Sequence, residues 1–223
     1  MCGRFIQASP SRAYAELFGL ADTELDLPPR YNVAPSQGVL AARMEQSHRT
    51  RLVALRWGLV PSWSKGPDAR YGMINARAET VHERPAYRSA FKYRRCLIPS
   101  EGFYEWRTEG RRKQPWLIHR KDHGPFAMAG LWEHWQDPAG NELESCTILV
   151  TEANSLIAPI HDRMPVILDA ADWAAWLDPL NQDPSALRPL LRPYPAQEMG
   201  AYAVSGQVNR PANDGPALIE PLG

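Results

Sequence analysis

The chain has 223 residues, with 25 Lys+Arg, 25 Asp+Glu, 6 His, 21 Pro, 8 Trp and 3 Cys, and a formal net charge of zero. That length suits one domain, residues 1–223, and no stretch approaches the ~20 apolar residues needed to span a bilayer. Cysteines at 2, 96 and 146 make neither a Cys-x-x-Cys metal pair nor a disulfide framework, so a reducing, cytoplasmic setting without structural zinc is expected.

Proline, at about twice its usual share, leaves little room for long helices. Ser11 to Phe18 is predicted as a short helix, capped by Ser9 and ended by Gly19, with Tyr14, Leu17 and Phe18 at helical spacing. Val39 to Met44 and Leu52 to Trp57 read as a hairpin whose second strand puts Val53, Leu55 and Trp57 on one face. Pro85 to Arg94 is a predicted helix with Pro in its first turn. Strands follow at Cys96 to Ile98, Gly102 to Arg107, Trp116 to Arg120, Phe126 to Trp132 and Cys146 to Thr151. Asp169 to Leu177 is a predicted helix with an Asp cap, Tyr202 to Ser205 a last strand, and residues after about 210 a C-terminal tail. Strand runs with scattered helices, without regular βαβ alternation, give an α+β class of mainly short antiparallel strands.

The zero balance conceals a division. Residues 1–120 carry net +9 and residues 121–223 net −9, and 21 of the 25 cations are Arg. Asymmetry of this kind points to an anionic partner, or to an Arg-biased composition whose halves neutralise each other in the fold.

Four residues stand out chemically. With Met1 removed, Cys2 would carry an α-amine and a thiol on adjacent carbons, a 1,2-aminothiol that condenses with an aldehyde to a thiazolidine; otherwise it is a small buried residue. In Met73-Ile74-Asn75-Ala76-Arg77-Ala78-Glu79, an extended chain projects Asn75, Arg77 and Glu79 from one face, either into a site or along a polar edge. Glu105, between Tyr104 and Trp106, is a desolvated acid/base or a solvated strand glutamate. His161, before Asp162, is a proton-transfer group or a hydrogen-bonded turn residue.

Six ordered motifs resemble one family, the SOS response-associated peptidase (SRAP) domain. They are Met1-Cys2-Gly3-Arg4-Phe5, Arg30-Tyr31-Asn32-Val33-Ala34-Pro35, Trp57-Gly58-Leu59-Val60-Pro61, Ile74-Asn75-Ala76-Arg77-Ala78-Glu79-Thr80, Glu101-Gly102-Phe103-Tyr104-Glu105-Trp106 and Ile160-His161-Asp162-Arg163-Met164-Pro165. The resemblance runs to about Asn209 and implies recognition of abasic sites in single-stranded DNA, with a covalent crosslink through Cys2. By the same resemblance Asn75 and His161 line the sugar aldehyde, Glu105 is the acid/base carboxylate, and Met1 is removed by autocatalysis or by an aminopeptidase. It further implies a weak lyase side reaction, no cofactor, a monomer, and a cytoplasmic, nucleoid-associated location.

Arg4, Arg77 and Arg163 are the phosphate binders it implies, and Trp63 and Trp106 the residues that stack on or wedge beside the lesion. Trp63-Ser64 stands where some members have two tryptophans. The segment from His82 to Arg95 interleaves cations with Tyr87, Phe91 and Tyr93, as a binding surface or as an amphipathic helix with an aromatic core face. Two rival functions remain open from the residues: an N-terminal-nucleophile amidohydrolase, in which the Cys2 thiol attacks an amide, and a non-catalytic reader of single-stranded DNA.

Overall fold

The structure, a computed structural model, describes residues 2–21, 23–45, 47–67 and 72–222. In chain order its main elements are β1 (Arg4–Gln7), α1 (Ser11–Leu17), β2 (Arg30–Val33), β3 (Gly38–Met44), β4 (Thr50–Trp57), β5 (Asn75–Arg77), α2 (Arg88–Tyr93) and β6 (Arg95–Ser100). There follow β7 (Gly102–Glu109), β8 (Arg112–Arg120), β9 (Phe126–Gln136), β10 (Glu142–Glu152), β11 (Arg163–Pro165), β12 (Ile167–Leu168), α3 (Trp173–Leu177), α4 (Pro184–Leu187) and β13 (Met199–Ala203).

Five strands, in the order β13-β8-β7-β1-β2, make an antiparallel sheet. The other eight form a second sheet, in which β10 pairs with both β4 and β9 and so closes a ring through β3 and β6. Two of its pairings, β10 with β4 and with β5, are parallel, and β9 and β10 reach eleven residues each. The α+β class stands, with a longer hairpin and two parallel contacts that short-range patterning does not reveal.

Alternation along the strands decides where the core sits. Val39, Leu55, Trp57, Ile98, Met128 and Ile148 of the ring meet Phe5, Phe103 and Ile118 of the five-stranded sheet in one cluster. Leu97, Ala129, Leu131 and Leu149, on the opposite face, pack with residues of α2, α3 and α4. Gly130 shows how close the strands come: a Cβ there would lie 2.9 Å from Cys96 Sγ. Beyond 210 the chain folds back, with Leu218 buried, Val204 bridged to Pro221, and Asn32 Nδ2 donating to the carbonyls of Val208, Arg210 and Asn213.

Two caps differ from expectation. Pro10, not Ser9, holds the N-cap position of α1, and no side chain caps it; the Ser9 N–H donates to Tyr14 Oη instead. Asp169 precedes a 3-10 turn over Ala170–Asp172 and makes no capping bond, so α3 starts only at Trp173. Gly19 does end the α1 region, at φ +68°. In the His82 to Arg95 segment Phe91 is wholly buried while Tyr93 is 49% exposed, and Arg95 donates to the carbonyls of Phe91, Lys92, Trp176, Asp178 and Asn181. One guanidinium thereby satisfies carbonyls at the ends of α2 and α3.

Candidate functional site

The site grows from β7. Its alternation turns Phe103 and Glu105 to one face and Tyr104, Trp106 and Thr108 to the other. Phe103 belongs to the core between the sheets, so Glu105 is carried inward with it and is only 2% exposed. Directly across on β8 stands Trp116, which packs against the same core. Burial raises the Glu105 carboxyl from 4.5 to about 7. At neutral pH such a group both gives and takes protons.

Cys2 is fully buried in the cluster that contains Phe5 and Trp57, whose rings meet edge to face at 4.9 Å. Its Sγ makes a weak contact with the Arg4 carbonyl at 3.9 Å. Burial, and then the charge of Glu105, push the thiol pKa up. The resting sulfur is therefore a protonated thiol, which needs a base before it can attack.

His161 is held at the end of a turn in which its N–H bonds the Ile157 carbonyl at 2.9 Å. Its Nε2 lies 3.9 Å from Glu105 Oε2. Two groups compete for Nδ1: the Arg163 N–H donates to it at 3.0 Å, while Asp162 Oδ1 lies 2.9 Å away. Burial lowers the His161 pKa, and Asp162 opposes that. In the neutral ring the main-chain bond leaves the proton on Nε2, facing Glu105; in the charged ring Nδ1 has Asp162 to donate to.

Asn75 opens β5 opposite Ile148. The residue before it, Ile74, packs on the Cys2 cluster and accepts the Trp57 Nε1–H at 3.0 Å. Both polar atoms of the Asn75 amide are buried without a hydrogen-bond partner among the described residues. An unmet buried amide costs ~1–3 kcal/mol, a cost that a ligand supplying a donor and an acceptor would remove.

Arg4, Glu105, Trp106, Lys113, His161 and Asn209 line an open cavity of about 470 Å³. Trp106 is fixed there by its Nε1–H, which donates to Asn209 Oδ1 at 2.7 Å. Arg4 has a buried Nε without a partner among the described residues and a long contact of 3.4 Å from its terminal nitrogen to the Gly3 carbonyl. Of the sequence-derived residues, Arg4, Glu105, Trp106 and His161 thus come together, with Cys2 buried in the core cluster that Glu105 faces.

The remaining ones do not line that cavity. Trp63, 68% exposed, borders a second cavity of about 320 Å³ with Arg56, Pro61 and Lys65. Arg77 is exposed on β5, and Arg163 is ion-paired with Glu79. Met1, whose removal is expected, lies outside the described residues. Sequence reasoning passed over Lys113 and Asn209; the basic run Arg111-Arg112-Lys113 was the available signal for the first. Among the described residues no group of three His, Cys, Asp or Glu is placed to hold a metal ion, and no helix is long and apolar enough to cross a membrane.

Comparison with known proteins bears on this arrangement. Residues 1–211 match the family model described as SOS response associated peptidase (SRAP). The chain is 47% identical over 223 residues to abasic site processing protein YoqW of Bacillus subtilis, covering 99% of each. It is 31% identical to abasic site processing protein YedK of Escherichia coli over 100% of both chains. A crystal structure of a protein from Bacteroides thetaiotaomicron superposes with a TM-score of 0.89 at 27% identity, covering 99% of this chain and 100% of that one. With nearly the whole length matched at this level, the chain belongs to the SRAP family.

Proposed function

We propose that the protein recognises abasic sites in single-stranded DNA and captures them covalently through Cys2. The observation that carries this reading is a buried Glu105 carboxyl, its pKa raised to about 7, that stands 3.9 Å from His161 Nε2 and whose charge helps to raise the Cys2 thiol pKa. The names of the relatives, abasic site processing proteins, agree with it.

The chemistry begins when Met1 is removed by hydrolysis of the Met1–Cys2 peptide bond, which frees the Cys2 α-amine. An abasic deoxyribose opens to an aldehyde at C1′. The amine adds to that carbon, and water leaves to give an imine. Expulsion of water leaves that imine protonated; the sulfur adds to the same carbon as its proton passes to Glu105, and the thiazolidine nitrogen keeps its own proton. One water is released overall. Glu105 donates the proton that expels water and accepts the one the thiol gives up, a shuttle suited to a pKa of about 7. The Nε2–H of neutral His161 assists opening of the sugar ring, and the unpartnered Asn75 amide orients the opened sugar. Sulfur capture removes the imine that could otherwise drive strand cleavage, leaving a weak lyase activity.

The test is a denaturing gel of purified protein incubated with a single-stranded oligonucleotide bearing one abasic site. A retarded band is expected with the protein whose Met1 has been removed, and none with Cys2→Ala. Equal bands from both would refute the Cys2 assignment.

A further inference from the structure

The β7–β8 hairpin carries charge that the site chemistry leaves unused. From Arg107 to Lys113 it holds four cations and one carboxylate, Glu109, which pairs with Arg107. Arg111, Arg112 and Lys113 are exposed and make no ion pair among the described residues. Like cations held together on a tight hairpin repel one another, so an unneutralised run of three favours an anionic partner.

The register aims one of them. Lys113 lies opposite Thr108, and Arg4 opposite Tyr104, so both share the face of the sheet that Trp106 occupies, while Glu105 faces the core. In the sheet order β8 and β1 flank β7 on its two sides. Lys113 accordingly reaches the cavity at its mouth beside Trp106, with Arg4 entering from the other strand. Its charge is only weakly felt inside: the His161 pKa is lowered chiefly by burial, and Lys113 is the smallest of the influences on it.

We infer that the β7–β8 hairpin is a phosphate-binding arm, in which Lys113 contacts a backbone phosphate of single-stranded DNA flanking the abasic sugar and Arg111 and Arg112 continue the track outward. The inference rests on the proposed DNA substrate but not on the covalent step. Lys113 is a single ammonium on a flexible stem, suited to a phosphate as a point charge and not to reading a base edge. The arm therefore adds affinity without sequence preference and holds the strand while the sugar turns inward to Glu105.

The experiment measures equilibrium binding of fluorescent single-stranded DNA by anisotropy over a series of salt concentrations, in a Cys2→Ala background so that no crosslink forms. Loss of one phosphate contact should lower the slope of log K against log salt by about 0.7 in magnitude for a single strand. Lys113→Ala should show that drop, Lys113→Arg should restore the slope, and the triple alanine variant of 111–113 should lose about twice as much or more. Lys121→Ala is the control, since it lies just past the far end of β8, roughly 26 Å away at ~3.3 Å per residue. All of these side chains are exposed, and circular dichroism confirms that each variant is folded. An unchanged slope for folded Lys113→Ala overturns the inference. Crosslinking by the Met1-processed protein is scored separately, so a missing covalent band with an altered slope counts against Cys2 chemistry alone.

Discussion

Replacing Glu105 by Gln separates what its burial costs from what its proton contributes. A carboxyl held at about 7 in the fold against 4.5 in its ordinary state corresponds to ~3 kcal/mol of differential free energy, at about 1.4 kcal/mol per tenfold change. The direction follows from linkage. Below pH 4.5 the group is protonated in both states and costs nothing. As pH rises toward 7 the unfolded chain releases its proton while the folded one keeps it, so stability falls; above 7 both are ionised and the loss levels off. Glu105→Gln removes this titration. Urea unfolding of the two proteins should therefore coincide at acid pH and diverge between pH 4.5 and 7, the variant ending about 3 kcal/mol more stable at pH 8. Crosslinking should fall over the same range, because an amide cannot accept the thiol proton. A stability difference that stays flat with pH would refute the burial account, and an unchanged crosslinking rate would remove Glu105 from the mechanism.

Two further substitutions test other parts of the structure. Asn75→Leu deletes a buried amide with no partners, so stability should hold or rise by ~1 kcal/mol while crosslinking drops; a large loss of stability in urea would show that the amide is already satisfied. Arg95→Met strands five main-chain carbonyls, four at the ends of α2 and α3 and one at Asn181, and should destabilise by ~3 kcal/mol or more. A change under about 1 kcal/mol by urea unfolding would deny the guanidinium that role.

Much of the site was legible because its chemistry is local in sequence. Glu105 between two aromatic residues on an alternating strand left two readings open, a desolvated carboxyl or a solvated one, and at 2% exposure it is the first. Asn75 in an apolar segment fitted either a site residue or a polar edge, and both its amide atoms are buried without a partner among the described residues. The caps were less legible. Ser9 and Asp169 have the right side chains for capping, yet the chain enters α1 through Pro10 and reaches α3 through a 3-10 turn. Capping propensity is a preference among local conformations, and the packing of the Tyr14 hydroxyl onto the Glu101 carboxylate, at 2.7 and 2.8 Å, competes with it.

The sequence by itself determined the class of fold and the family and offered candidates for the reactive groups, because alternation, turn residues and motif order are properties of short segments. It also held the division into +9 and −9 halves, though not its meaning. Only the tertiary structure decided that Arg4 and Lys113 flank β7 from neighbouring strands, that His161 from the acidic half stands 3.9 Å from Glu105, and that Arg163 is neutralised by Glu79. The physical reason is that charge acts through distance and dielectric. Strand pairing between residues a hundred positions apart sets both, and no local pattern in the chain records them.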